Sequence, residues 1–220
     1  GLAAVSRLND HRSVVVAPSG RLTPLNLYLL VTGHTGSGKE TMREVLNMIG
    51  RAVTTVDQEG LISDDFASPQ ALARVLSEHS ATALLLFMDE FGHRLNQAKH
   101  SPGSSSASLN ALLLEMHGLS LNAYAGKQYS KSRDNVDPAV LPYVSLLAST
   151  TEEPLGKALN DQSIYDGTLN RFLNLRQPAQ LRRNEKRVYD NVSQPVVKAC
   201  RRLWPGSSGA AQIAEGLEEE

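Results

Sequence analysis

Three short runs of almost uninterrupted apolar residues constrain the fold of this 220-residue chain more than any other feature. They lie at residues 25–32, 81–88 and 143–148. Such continuous apolarity is typical of parallel strands, because a parallel sheet is normally buried on both faces. Segments with apolar residues three and four positions apart, as in a helix, lie between the runs. The sequence therefore predicts an α/β fold in which helices sandwich a parallel sheet.

The first run leads into a glycine-rich stretch, Gly-His-Thr-Gly-Ser-Gly-Lys-Glu-Thr, and then into a helical pattern. Glycines let the backbone curl so that successive N–H groups point at phosphate oxygens. The positive end of the following helix and the charge of Lys39 add to this attraction. The alternative is a glycine-rich turn with a chance lysine. The predicted nucleotide-binding residues are Gly33, Thr35, Gly36, Ser37, Gly38, Lys39, Glu40 and Thr41.

Glu40 departs from the usual form of such a loop, which has serine or threonine after the lysine to bind Mg²⁺. Thr41 follows Glu40, but a helix turns by about 100° per residue. Thr41 therefore replaces the missing hydroxyl only if the loop shifts. Which of the two residues serves the metal stays open at the level of sequence.

Asp89 and Glu90 follow the second apolar run directly. A carboxylate at the carboxyl end of a buried strand is suited to bind Mg²⁺, directly or through water. The neighbouring glutamate can polarise the water that attacks a γ-phosphate. We therefore predict Asp89 as a metal ligand, together with Thr41, and Glu90 as a catalytic residue.

The third apolar run ends in three hydroxyl residues, Ser149, Thr150 and Thr151. A polar group there could contact the γ-phosphate and position water, and Thr150 is the predicted catalytic residue. The alternative is a group of residues that caps the helix predicted to begin at Pro154.

Arg171 stands immediately before a last predicted strand at residues 172–175. Its guanidinium could reach the site of a neighbouring subunit and offset charge on the γ-phosphate. The alternative is a surface arginine that pairs with Asp166. If the first interpretation holds, the protein works as a ring.

Composition limits the remaining possibilities. The net charge of −1 does not by itself indicate nucleic-acid binding, and the single cysteine excludes a disulfide framework. No apolar run approaches the roughly 20 residues that cross a bilayer, and no secretory signal is visible. We expect a cytoplasmic protein, and a piece of a longer chain, since residue 1 is glycine. The predicted organisation is an ATPase core at 1–178, a basic helical segment at 179–205 and an acidic flexible tail at 206–220.

These stretches together resemble the ATPase module of phage and mobile-element primase-helicase proteins, with a RecA-like or superfamily III-like core. The resemblance rests on residues 27–40, 85–92, 146–151 and 169–173. It implies the additional-strand catalytic-glutamate class of P-loop NTPases, which includes AAA+ proteins and inserts one strand between the loop strand and the Asp-Glu strand. A β-branched segment at 52–56, predicted as a strand, fits that arrangement. In this group Glu40 is not unusual.

The resemblance further implies ATP and Mg²⁺ as cofactors, a hexameric ring, single-stranded DNA as partner and a bacterial host cytoplasm. Superfamily III helicases place a basic hairpin before the third core strand. We accordingly predict DNA contacts from Lys127, Lys131 and Arg133, with Tyr124 or Tyr129 stacking on a base. The alternative is an exposed loop with ordinary lysines. The basic residues at 182–202 could also touch DNA, although such stripes are usually solvated helix faces.

The leading hypothesis is therefore an ATP-driven motor on single-stranded DNA, most simply a replicative helicase. Two alternatives stay open: a regulatory ATPase that remodels protein complexes, and the motor of a DNA-packaging terminase. The enhancer-binding activators share the loop form, but their partner-binding Gly-Ala-Phe loop is absent from this sequence. The spacing of four histidines, at 34, 93, 100 and 117, matches no metal-ligand motif.

Overall fold

The computed structural model describes residues 14–16, 18–20, 22–35, 40–53, 66–78, 83–128, 135–159, 167–177 and 193–203. The strands in these ranges are β1 (Val14–Val16), β2 (Leu22–Pro24), β3 (Tyr28–Thr32), β4 (Ala83–Met88), β5 (Ala123–Tyr124), β6 (Ala139–Val140), β7 (Tyr143–Thr150) and β8 (Phe172–Arg176). The helices are α1 (Glu40–Val53), α2 (Pro69–Glu78), α3 (Phe91–His100), α4 (Ser105–Leu119), α5 (Glu152–Ala158) and α6 (Gln194–Leu203), with a 3₁₀ turn at Leu169–Arg171.

Four of the strands form a parallel sheet in the order β4-β7-β3-β8. The predicted α/β fold with a parallel sheet flanked by helices is therefore confirmed. In the register of the sheet, Thr32 at the end of β3 lies opposite Thr150 of β7 and Arg176 of β8. Because all four strands run the same way, their carboxyl ends meet at one edge of the sheet.

Different helices cover the two faces of the sheet. Successive residues of each strand point to opposite faces, so alternate residues contact alternate helix layers. On the first face, Leu29, Leu85 and Leu147 pack with residues of α1 and with Cys200 of α6. On the second face, residues such as Leu30 and Leu146 pack with α2, α3 and α4. The result is a three-layer α/β/α core.

Several predicted boundaries are wrong. In the sequence, Gly50 is predicted to close the helix that follows the glycine-rich stretch, but α1 continues to Val53. Residues 52–53 are therefore not part of the predicted strand at 52–56, and residues 54–56 lie outside the described ranges. Ile49 and Val53 are buried against the sheet, and this packing outweighs the poor helix propensity of glycine. The serine-rich composition of residues 101–107 predicts a flexible loop, but that loop ends at Ser104, whose side chain accepts a hydrogen bond from the N–H of Ala107 and caps α4.

Outside the parallel sheet, the alternation of small, polar and basic residues at 119–139 predicts a hairpin, and the described part of this segment forms one. β5 and β6 pair antiparallel, and a further bridge joins Lys127 to Val136. β1 and β2 form a separate two-stranded sheet. Of the predicted basic segment at 179–205, the structure describes residues 193–203, in which α6 packs against α1; residues 179–192, residues 204–205 and the acidic tail lie outside the described ranges. No helix in the described ranges is long and apolar enough to span a membrane.

Candidate nucleotide and catalytic site

The carboxyl edge of the sheet brings together the ends of β3, β7 and β4. The N–H of Gly33 donates to the carbonyl oxygen of Thr150 at 3.2 Å, so the glycine-rich stretch begins beside the end of β7. The helix that follows β3 lies on the first face, whereas α3 and the α5 that packs against it lie on the second. In open parallel sheets, the crevice where neighbouring connections leave to opposite faces is the usual ligand site.

The predicted phosphate loop joins β3 to α1, as expected for a strand-loop-helix unit. Gly33 is buried, His34 and Thr35 are exposed, and Thr41 is half-buried in the first turn of α1. Gly36, Ser37, Gly38 and Lys39 lie outside the described residues, as does the side chain of Glu40. The described part therefore fixes where the loop leaves the sheet and where the helix begins.

Asp89 is exposed in the turn after β4, and its Oδ1 atom has two donors. One is the hydroxyl of Ser149, from the end of β7, and the other is the N–H of Glu90 at 2.9 Å. Asp89 and β7 are therefore joined by a side-chain hydrogen bond across neighbouring strands. Charge-assisted bonds of this kind hold a carboxylate in one orientation.

Glu90 has a left-handed backbone conformation, with φ 52° and ψ 36°. This conformation costs a residue with a Cβ roughly 1–2 kcal/mol. It lets the chain turn sharply from β4 into α3, where the carbonyl of Glu90 accepts from the N–H of His93 at 2.9 Å. The carboxylate is about half exposed, and its Oε2 lies 3.7 Å from Nε2 of His93. Non-glycine residues in this strained region cluster at functional sites.

Thr150 lies at the same edge, but its hydroxyl faces inward. It accepts from the N–H of Gly92 at 3.1 Å and donates to the carbonyl of Thr151 at 3.3 Å, and the residue has no exposed surface. Strand alternation sends Ser149 and Thr150 to opposite faces. The contact of Thr150 with a γ-phosphate stays a prediction, and the hydroxyl that faces Asp89 is that of Ser149.

Gly92 was not predicted from the sequence, although the packing around it is tight. A Cβ at this position would lie 2.6 Å from Oγ1 of Thr150 and 2.8 Å from the backbone nitrogen of Leu155. Glycine therefore lets α3 begin directly against α5 and the end of β7. The sequence signal was a glycine two residues after Glu90.

Arg171 lies at the amino end of the parallel strands, opposite the candidate site at their carboxyl end. It precedes β8, whose first residue, Phe172, lies beside Tyr28 at the start of β3. Tyr28 and Thr32 are four residues apart on β3, which corresponds to about 13 Å along the strand. The Nη1 atom of Arg171 donates to the carbonyl of Gly167 at 3.0 Å. The structure therefore does not bring Arg171 together with Asp89 within one subunit.

Arg171 also influences two aromatic groups near the start of β3. Burial, and secondarily the charge of Arg171, holds the pKa of His117 below its ordinary value. Burial raises the pKa of Tyr28 far above its ordinary value, against a smaller lowering effect of Arg171. The Tyr28 hydroxyl donates to the carbonyl of Leu113 at 2.6 Å.

A second group of charges lies at the carboxyl edge and was not predicted. Nε of Arg176, at the end of β8, donates to Oε1 of Glu152, the first residue of α5, at 2.8 Å. This hydrogen bond is the main cause that lowers the pKa of Glu152, and the charge of His34 contributes. The start of the glycine-rich stretch is thus flanked by an ion pair.

The hairpin of β5 and β6 leads into β7 at its amino end, opposite the candidate site. Lys127 is exposed on it, whereas Lys131, Arg133 and Tyr129 lie outside the described residues. The suggestion that Tyr124 stacks on a base is wrong, because only 2% of its surface is exposed and it packs in the core.

The described part of the basic segment makes a structural contact. The Arg201 guanidinium donates twice to the carbonyl of Ala52 near the end of α1, at 2.9 and 3.2 Å. Lys198 and Arg202 are exposed. Arg201 thereby binds a terminal carbonyl of α1, where the negative end of a helix favours a cation.

Among the described residues of the candidate site, Asp89 is the predicted metal ligand with an exposed carboxylate. Within the described ranges, no group of three or more histidine, cysteine or acidic residues could enclose an ion. Mg²⁺ does not need such a group, because it commonly binds through one or two carboxylates, substrate phosphates and water. The exposed Asp89 carboxylate fits this requirement.

Comparison of the chain with protein-family models, with curated proteins and with solved structures found no match.

Proposed function

We propose that this protein hydrolyses ATP at the carboxyl edge of its parallel sheet and uses the energy to move on single-stranded DNA. One observation carries the proposal: β7 separates the strand of the glycine-rich stretch from the Asp-Glu strand. One strand between these two is the arrangement of the additional-strand catalytic-glutamate ATPases that the sequence resembles. The separating strand comes from residues 143–150, not from residues 52–56.

The residues at this edge would have three roles: phosphate binding, metal binding and acceptance of a proton. The backbone of residues 33–38 and the charge of Lys39 would bind the phosphates, next to the N-terminus of α1. Asp89, held by Ser149 and by the Glu90 N–H, would hold Mg²⁺, which neutralises phosphate charge when bound. Glu90 would accept the proton of the attacking water, since its carboxylate is accessible and its backbone is fixed by the turn.

Action as a ring is proposed from the place of Arg171. The nucleotide edge and Arg171 lie at opposite ends of β3 and β8, so the side chain cannot serve the site of its own subunit. A neighbour arranged head to tail would bring Arg171 to the next site, and such heterologous contacts form a ring when the rotation between subunits closes. The guanidinium would then stabilise charge on the γ-phosphate.

Single-stranded DNA as partner is proposed from the hairpin. Its described base leaves Lys127 exposed, and the sequence places Lys131 and Arg133 in the connecting segment. Three cations within residues 127–133 of the sequence suit a phosphate backbone, whose binding depends on counterion release. β7 runs from this hairpin to Ser149, so one strand connects the proposed DNA contact with the proposed nucleotide site.

The proposal is tested by ATP hydrolysis measured with and without single-stranded DNA. We expect DNA to raise the rate and Lys39→Ala to reduce it to background. Glu90→Gln should bind ATP while hydrolysis falls at least about 100-fold, the effect of losing a general base. Glu115→Gln, which neutralises an exposed carboxylate on α4, is the matched control and should hydrolyse normally.

Two results would count against the proposal in different ways. Normal hydrolysis by Glu90→Gln would remove the catalytic assignment. A hydrolysis rate indifferent to DNA, and unchanged when Lys127, Lys131 and Arg133 are all replaced by alanine, would favour the alternative of an ATPase that acts on protein partners.

A further inference from the structure

The glycine-rich stretch lacks the hydroxyl that usually follows its lysine, because Glu40 occupies that position. In the usual motif this hydroxyl binds the Mg²⁺ ion. Thr41 is half-buried on α1, one residue further along the helix and about 100° away. If the site holds Mg²⁺, the ion depends more on the carboxylate of Asp89, and therefore on the orientation of that carboxylate.

Ser149 has the geometry for this task. It is fully buried at the end of β7, and its hydroxyl donates to Oδ1 of Asp89. A serine hydroxyl has one proton, so this bond uses its whole capacity as a donor. The N–H of Glu90 donates to the same Oδ1 atom. Within the described residues, the Ser149 hydroxyl and the Glu90 N–H both donate to Oδ1 of Asp89. The other carboxylate oxygen, Oδ2, therefore points away from these two donors.

We propose that Ser149 is a positioning residue that fixes the Asp89 carboxylate so that Oδ2 is presented to Mg²⁺. The inference rests on the proposed ATPase function and deepens it. Ser149 touches neither the nucleotide nor the metal ion; it acts through Asp89. Without the loop hydroxyl as a ligand, metal binding depends more on the orientation of Asp89, and Ser149 fixes that orientation.

A purely structural bond would behave differently. Asp89 is exposed, so water can solvate its carboxylate when Ser149 is replaced, and the fold would lose only one hydrogen bond. The need for Mg²⁺ would then stay unchanged. If Ser149 orders the ligand, its loss weakens metal binding, and removal of such indirect partners typically costs 10–100-fold in metal affinity.

The experiment measures binding of a non-hydrolysable ATP analogue to the full chain, as Mg²⁺ is titrated and also in EDTA. For Ser149→Ala we expect half-saturation at a Mg²⁺ concentration about 10–100-fold higher, with unchanged affinity in EDTA. Ser145→Ala is the matched control, since Ser145 is also fully buried, on the same strand and face, about 13 Å from Ser149. The control should keep the wild-type Mg²⁺ dependence, and so should Ser149→Thr, which retains the hydroxyl.

If Ser149→Ala does not fold, Ser149→Cys serves instead, because a thiol keeps the volume but is a weak donor. An unchanged Mg²⁺ dependence in the folded variant overturns the inference. So does an equal loss of affinity in Mg²⁺ and in EDTA. Failure of the wild-type protein to bind the analogue overturns the proposed function instead, so the two failures are distinguishable.

Discussion

Among single residues, Glu90 shows most directly how function can oppose stability. Its left-handed backbone is unfavourable for every residue that carries a Cβ, yet the turn from β4 into α3 requires it. Glycine would adopt the same conformation without a steric penalty. A carboxylate at this position is therefore unfavourable for the fold, and the proposed role in hydrolysis supplies a reason for it.

Glu90→Gly should make the protein more stable and inactive. We expect the free energy of unfolding to rise by about 0.5–1 kcal/mol, the relief of the left-handed conformation less the extra chain entropy of glycine. Urea unfolding measures the first effect and ATP hydrolysis the second. Glu90→Ala keeps the Cβ and should show no gain in stability. A glycine variant less stable than the alanine variant would contradict the strain at this turn.

At the scale of elements, the sequence predicted the strands of the sheet better than the contacts between them. Residues 25–32, 81–88 and 143–148 could be identified because burial on both faces leaves continuous apolar runs. The choice between Ser149 and Thr150 could not be made, since it depends on which face each residue of β7 presents. The ion pair of Glu152 and Arg176 was also missed, because it joins residues 24 positions apart through the register of the sheet.

Gly92 lies where three elements meet, and its replacement should test their packing. A methyl group there would overlap Oγ1 of Thr150 and the backbone nitrogen of Leu155. Backbone cannot move as a side chain can, so Gly92→Ala should destabilise the protein by about 1–3 kcal/mol, the usual effect of overpacking.

The matched control for this prediction is Gly118→Ala, because Gly118 lies in α4 with no atom within 4 Å of the added Cβ. That variant should gain roughly 0.5–1 kcal/mol from the better helix propensity of alanine. Both values come from urea unfolding. Equal stability of the two variants would mean that α3 is not held against α5 as the structure shows.

At the scale of the whole molecule, β7 connects the two ends of the sheet. Its eight residues extend about 26 Å, from the hairpin at the amino end to Ser149 and Thr150 at the carboxyl end. Leu141, just before β7, has a left-handed backbone with φ 51°, and its N–H donates to the carbonyl of Asn122 at 2.8 Å. The hairpin is thus joined to β7 by a tight turn. This is the route by which contact with DNA would reach the proposed catalytic edge.

The ring hypothesis makes a prediction about mixtures of two inactive proteins. Lys39→Ala subunits lack the lysine proposed to bind phosphate but keep Arg171. Arg171→Ala subunits keep Lys39 but lack the arginine. If Arg171 acts on the neighbouring site, an equal mixture contains interfaces with both groups intact. By chance about a quarter of head-to-tail interfaces would be of this kind, so roughly a quarter of wild-type ATP hydrolysis should return.

The mixture must be compared with each variant alone and with its own oligomeric size, measured by light scattering with ATP and single-stranded DNA present. Because Arg171 also donates to the Gly167 carbonyl, unfolding of Arg171→Ala in urea serves as the check that the variant is folded. A mixture that forms rings and stays inactive would mean that Arg171 does not complete a neighbouring site. Activity of Arg171→Ala alone would mean the same, since the distance along β8 already excludes action of Arg171 on its own Asp89.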